Sequence, residues 1–391
     1  MQIDRNVLVC SALWSLAIFS QGTIAQDMKT GLSLKADSTL AFDDNIYRVP
    51  DELARSDTFL ALSPEINVIG VTGKHRYQLT YLGDYAKFKE ESGADYTDHD
   101  IRLRAEFNHS LRFGTQFSVG YKKEHEDPGS INLIQLDIQE YNKYDEGYVN
   151  IGMALGQESS IGRLSFNYRR TNKDFTNNNL DFLDFVGDQY IGRFTYRIAP
   201  KTKLYTELSF SDLDYEPNST FELDNELKRY SAGISWDFTN KLSGDINIGY
   251  QERNYLQETI QDIDGLTYTG TISWSINTYT ELEIDAIRET VDTTLNEAGG
   301  SFRTTFGLDL SHELTELMSI KLNAGYADDE LVFTTNRNDK RYRYGIQFDY
   351  ELLRTLTIFA KYSYEERDSS LLQANFKANI ISLNLLYKLD K

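Results

Sequence analysis

The stretch RYRYGIQFDYELLRTLTIFAKYSYEER, running from Arg341 to Arg367, decides the fold. Its first half alternates without a break. Tyr342, Tyr344, Ile346, Phe348, Tyr350 and Leu352 share one parity, and Arg341, Arg343, Gly345, Gln347, Asp349 and Glu351 the other. After a tight break at Leu353-Arg354 the pattern resumes, with Leu356, Ile358, Ala360, Tyr362 and Tyr364 against Thr357, Lys361, Ser363 and Glu365. A period of two means an extended strand with one apolar and one polar face. Two such strands on a minimal turn make a hairpin. The apolar face is aromatic at its ends and aliphatic in the middle, which suits rings at two membrane interfaces with alkyl groups between them. A strand of about 9–11 residues tilted by about 45° crosses the hydrocarbon. The unit reads as a transmembrane β-hairpin.

The same alternation recurs outward from this hairpin. It opens with Leu32, Leu34, Ala36, Leu40 and Phe42 and closes with Ile381, Leu383, Leu385, Tyr387 and Leu389, giving eighteen expected strands. The connections alternate in length. Short breaks fall at Val71–Lys74, Leu111–Thr115, Gly156–Ser160, Ala199–Thr202, Thr239–Lys241, Asn277–Tyr279, Glu313–Glu316 and Leu353–Arg354. Long polar segments separate them, at Asp43–Asp57, Lys123–Asp145, Asn172–Asp184, Asp212–Glu226 and Asp328–Asp339. Short periplasmic turns and long outer loops characterise outer-membrane barrels. The expected fold is therefore all-β, a transmembrane antiparallel up-and-down β-barrel. An even strand number puts both termini on the periplasmic side.

Composition agrees. Apart from the extreme N-terminus, none of the 391 residues falls in an apolar run long enough for a membrane-spanning helix. A mean hydropathy of −0.49 does not exclude a barrel, because half of each strand faces a polar lumen. Tyr and Phe are abundant and Pro scarce, as many uninterrupted strands require. Val7 to Phe19 form an apolar core followed by Thr23-Ile24-Ala25. Residues 1–25 read as a secretory signal peptide and residues 26–391 as the barrel, with Gln26–Lys29 as a short tail. The single cysteine, Cys10, lies inside the leader, too early and behind a bulky Val9 for lipid attachment. An exported, disulfide-free chain of formal charge −20 fits a bacterial envelope protein. That charge argues against nucleic acid as a partner.

A barrel of this width leaves a lumen, so function is sought on the inward parity. That parity is rich in arginine: Arg76, Arg102, Arg104, Arg163, Arg193, Arg197, Arg303 and Arg343. One reading is an electropositive path for an anionic solute, since guanidinium forks bind carboxylate or phosphate. The other is that each pairs with an inward carboxylate such as Asp84, Asp100, Glu106, Glu207, Asp309 or Asp349 and braces the wall. The two coexist without conflict. No catalytic, cofactor-binding or metal site is expected. Asp98-His99-Asp100 is the one suggestive triplet, but adjacent strand residues point to opposite faces. His125 is assigned to a loop and His75 to a turn, and His109-Ser110 diverges as His99 does. Tyr141, Tyr144, Phe182 and Phe185 either stack on sugar rings or pack the loops. The loop carboxylates Asp43, Asp44 and Asp127 are more simply solvated than metal-bound.

Several local strings occur together: Asp43-Asp44-Asn45-Ile46-Tyr47-Arg48, Tyr77-Gln78-Leu79-Thr80-Tyr81-Leu82-Gly83-Asp84-Tyr85, Asp95-Tyr96-Thr97-Asp98-His99 and Glu126-Asp127-Pro128-Gly129. The set resembles the outer-membrane β-barrel porin-like proteins associated with bacterial exopolysaccharide and capsule biosynthesis, most specifically over residues 40–130. The chain departs from the usual aromatic ending of such barrels, closing on Tyr387-Lys388-Leu389-Asp390-Lys391. The resemblance implies a conduit for export of an exopolysaccharide, acidic if the inward arginines are unpaired. Its partners would be outer-membrane lipid and lipopolysaccharide, the secreted polysaccharide, and periplasmic or inner-membrane export machinery. A solute-uptake porin shares every bulk feature, and a plugged surface barrel that binds capsule polysaccharide is the third reading.

The loop rhythm makes a topological prediction. Because the chain after the leader lacks cysteine, a cysteine at Asn178 should react with an impermeant maleimide on intact cells, and one at Asn277 should not. The reverse pattern would invert the orientation.

Overall fold

A computed structural model describes residues 30–129, 140–216, 222–239, 241–291, 300–331 and 337–390. The expected leader and the Gln26–Lys29 tail lie outside the described residues. Eighteen strands follow in order. The first nine are β1 (Gly31–Asp43), β2 (Asp57–Thr72), β3 (His75–Phe88), β4 (Tyr96–Asn108), β5 (Phe113–His125), β6 (Lys143–Leu155), β7 (Gly162–Phe175), β8 (Phe185–Ala199) and β9 (Thr202–Tyr215). The second nine are β10 (Asn225–Thr239), β11 (Leu242–Tyr255), β12 (Ile263–Asn277), β13 (Thr280–Val291), β14 (Ser301–Thr315), β15 (Met318–Leu331), β16 (Arg337–Leu353), β17 (Leu356–Ser369) and β18 (Phe376–Asp390). Each is antiparallel to its sequence neighbours, and β1 pairs with β18, setting Leu40 opposite Leu383. The sheet is a closed barrel with no edge.

Alternation then sorts every strand into two faces. Leu60, Leu208 and Ile381 are 60 % exposed or more, and Leu103, Ile151, Ile248 and Leu383 are exposed at the same parity. In water such a surface would be a liability; in hydrocarbon it is the solvent-matched face. The alternate residues turn inward and pair across strands, as Lys35 does with Glu65 at 3.1 Å.

The short connections are tight because of local geometry on the strand that enters them. Register shifts occur at Arg197/Ala199, Asp237/Thr239, Ser275/Asn277, Glu313/Thr315 and Glu351/Leu353. An extra residue there raises the local twist and lets the chain reverse at once.

The strands run further than alternation suggests. Phe113–Thr115 belongs to β5 and Glu313–Thr315 to β14, so two expected turns are shorter. At the other rim β5 continues to His125, β7 to Phe175 and β9 to Tyr215. There too β15 continues to Leu331, and β16 begins at Arg337. Beyond the hydrocarbon both faces are polar, so the sequence signal fades while the backbone ladder persists. His125 and His75 are thus strand residues, not loop or turn residues. The outward positions of these extensions hold tyrosine–carboxylate bonds: Tyr121 to Asp145 (2.8 Å), Tyr168 to Asp188 (2.6 Å) and Tyr364 to Glu366 (2.8 Å). They fix the phenols of the aromatic belt where it meets water.

Face assignment is testable by pairs of substitutions on adjacent strands. Ile248→Arg, on the outward face of β11, should cost about 2–4 kcal/mol in reversible folding into vesicles. Thr269→Arg, inward on β12, should cost less than about 1 kcal/mol. Equal costs would contradict the assignment.

Candidate functional site

The eight arginines singled out from the sequence all take the inward parity. The structure does not gather them into one cluster. Arg102 donates to Asp100 on its own strand, with Nε 2.8 Å from Oδ1. Arg104 lies 2.8 Å from Glu106 and donates to Gln116 at 2.9 Å. Arg193 is held by Glu207 at 2.6 Å and stacks on Tyr205. Arg163 approaches Glu158 of the preceding turn at 3.7 Å. Arg303 and Arg343 sit across the barrel and bond Asp329 and Glu365 at 2.5 and 2.7 Å. Arg76 and Arg197 form no ion pair among the described residues; both lie near the short-turn rim. Asp100, Glu106 and Glu207 thus brace arginines. Asp84 accepts from Ser63 instead, and Asp349 from Gln347 and Ser319, with Lys321 at 3.5 Å.

At the long-loop rim the interior wall carries a lattice of ion pairs that sequence reasoning missed. Arg48, in the β1–β2 connection and 7 % exposed, bridges Asp43 (2.8 Å) and Glu365 (3.0 Å). It also donates to the Asn45 carbonyl. Its backbone is left-handed at φ 54°, which costs a non-glycine residue about 1–2 kcal/mol. The three bonds of the guanidinium offset that cost. Burial alone would lower the Arg48 pKa, but the Asp43 and Glu365 carboxylates reverse this and hold it above its ordinary value. Alongside, Asp329 receives Arg303 and Arg341, and Asp339 receives Arg337 and Ser369. Arg367 lies over Phe376 and donates to the Ala374 carbonyl at 2.6 Å. Parity alone would have added Arg337, Arg341 and Arg367 to the inward set; a loop arginine such as Arg48 has no parity to read.

The connections settle onto this lattice. Ile46, Tyr47 and Val49 bury with Ala94 and Tyr141 against Phe88 and Tyr96. Gly129, at φ +85°, abuts Phe376 and Arg48; a Cβ there would fall 3.0 Å from the ring. The described ends of the β5–β6 connection thus touch distant elements: Gly129 meets Phe376 of β18, and Tyr141 meets Tyr47 of the β1–β2 connection. His125 lies at the root of the β5–β6 connection, stacked between Tyr96 (4.2 Å) and Tyr141 (5.2 Å), with Nδ1 2.7 Å from Asp98. Asp98 thus pairs with His125, while its neighbour His99 faces outward to Tyr81 at 2.9 Å. Tyr141 is 2 % exposed and bonds the Ile46 carbonyl, and Phe182 packs with Phe175, Leu180 and Leu183. Tyr144 and Phe185 are strand residues, β6 and β8. All four rings pack against other side chains at the rim. Asp43 and Asp44 are engaged by Arg48 and Asn379.

A closed barrel with an apolar belt, a polar interior, short turns at one rim and long connections at the other is the architecture of an outer-membrane porin. The sequence matches the family described as "Putative beta-barrel porin 2" over residues 33–389, and the chain belongs to that family. No curated protein matches the sequence. Among solved structures it is similar to Pseudomonas aeruginosa OccK2 (OpdF) in complex with glucuronate, at 10 % identity and TM-score 0.51, covering 93 % of this chain and 98 % of that one. It is similar to P. aeruginosa OpdK with vanillate at 8 % identity and TM-score 0.51, covering 93 % and 99 %. Acinetobacter baumannii OccAB3 matches at 9 % identity and TM-score 0.51, covering 93 % and 100 %. At such identities the likeness is one of fold.

Removing Arg48 should loosen the mouth. Arg48→Ala leaves Asp43 buried without its cation, at a local cost of about 3 kcal/mol. Faster amide exchange and protease cleavage within residues 44–56, with the barrel still folded, is the expected outcome. Unchanged protection would mean the apolar cluster alone holds the connection.

Proposed function

We propose that the barrel is a passive solute-uptake porin of the outer membrane, its long connections outside and both termini periplasmic. The solute is a small organic molecule bearing a carboxylate. The observation that carries this reading is the inward arginine set on β3–β9, in which Arg76 and Arg197 keep their guanidinium groups out of any ion pair among the described residues. Two porins of like fold are described in complex with glucuronate and with vanillate, both carboxylates. Guanidinium groups spaced along a wall offer such a solute successive contacts, each weak enough to release it onward. Export of an exopolysaccharide, expected from the family resemblance, gains no support from this arrangement. Uptake is therefore preferred to it, and to a plugged capsule-binding barrel. No catalysis is assigned to the chain.

The test is flux of labelled glucuronate into vesicles holding the purified barrel. Wild type should pass it, and a variant carrying both Arg76→Gln and Arg197→Gln should pass it about threefold more slowly, one weakened contact being worth about 0.6 kcal/mol. Failure of wild type to pass glucuronate, together with loss of surface polysaccharide in the deletion strain, would overturn uptake in favour of export.

A further inference from the structure

The interior is polarised from side to side. In its short-turn half, the arc from β3 to β9 presents Arg76, Arg102, Arg104, Arg193, Arg197 and Lys203 inward, with Glu106 and Glu207 among them, so cations outnumber carboxylates there. The arc from β10 to β16 presents Asp245, Glu283, Asp285, Asp309 and Asp349 at the same inward parity, against Lys321 beside Asp349. In the closed ring β4 and β13 are half a circuit apart, so Arg102 and Arg104 look across at Glu283 and Asp285.

The acidic arc is not explained by folding. Glu283 and Asp309 are direct cross-strand partners, and like charges so placed destabilise a sheet. The donors around these carboxylates are mostly neutral hydroxyls. Thr271 bonds Asp285 at 2.9 Å, and Tyr205 bonds Asp245 at 2.6 Å. β12, between β11 and β13, carries Thr267, Thr269, Thr271, Ser273 and Ser275 inward, with no cation among them.

We propose that the two arcs select solutes with a cationic group opposite the carboxylate, that is, zwitterions such as ω-amino acids. This deepens the uptake reading above and rests on it. Fixed charges of opposite sign on low-dielectric walls create a field across the lumen. A zwitterion turns its carboxylate to β3–β9 and its ammonium to β10–β16. A simple anion gains at the first wall and loses at the second, and a neutral molecule gains at neither.

The full chain in vesicles decides it, with β-alanine, propionate and propanediol as probes of similar size. At about 10 mM ionic strength, where the Debye length is ~30 Å, β-alanine should enter about threefold faster than propanediol and faster than propionate. Near 1 M salt, where that length is ~3 Å, the advantage should vanish. The combined variant Glu283→Gln, Asp285→Asn, Asp309→Asn should lose the β-alanine advantage and gain propionate flux relative to propanediol. Equal entry of β-alanine and propanediol into wild-type vesicles, or an advantage that survives in the variant, overturns the inference while leaving the pore intact. No entry of propanediol would instead sink the uptake reading.

Discussion

Hydrocarbon offers no hydrogen-bond partner, so each backbone N–H and C=O that crosses it must be paired within the protein. For a chain of short alternating strands the solution is a ladder that returns to its start, here through β1 against β18. Closure then imposes the rest. It leaves no edge, forces tight reversal at one rim, and divides every strand into a lipid-facing and an interior parity. Polar residues concentrate inside because that is where water is. The ladder also explains the length of the strands, which continue above the apolar belt wherever tyrosine–carboxylate bonds replace lipid contact, as at Tyr168 and Asp188.

The mouth is governed by a different balance. Charged groups such as Arg48, Asp43, Arg303 and Asp329 are almost fully buried, and burial of an ion is repaid only by close partners. Arg48 ties the β1–β2 connection, and Arg367 ties Gly129 of the β5–β6 connection, to β17. The apolar cluster around Ile46 and Tyr141 fills the remaining space. The string Asp43-Asp44-Asn45-Ile46-Tyr47-Arg48 is therefore a folding unit: Asp43 caps the Asn45 N–H at 2.8 Å and receives Arg48, while Asp44 holds Asn379 of β18.

Parity made much of this readable in advance. Tyr342 and Tyr344 outward place Arg343 inward, and the same step orients Arg102, Arg104 and Arg193. Eighteen alternating segments gave the strand number. What parity cannot convey is contact between distant segments. Nothing local links Arg48 to Glu365, or selects His125 rather than His99 as the partner of Asp98. Asp309 and Asp349 looked like braces for arginines because sequence spacing does not say that the arginines of their own strands, Arg303 and Arg343, are taken by Asp329 and Glu365. The family resemblance pointed to a barrel porin, which the family match shows, and to polysaccharide export, which it does not support.

The central claim is that this closed barrel encloses a water-filled path, and single-channel recording in planar lipid bilayers tests it most directly. Purified protein should give discrete, ohmic steps whose conductance rises with salt concentration. A barrel shown to be folded and inserted, yet silent at every voltage and salt concentration, would contradict it.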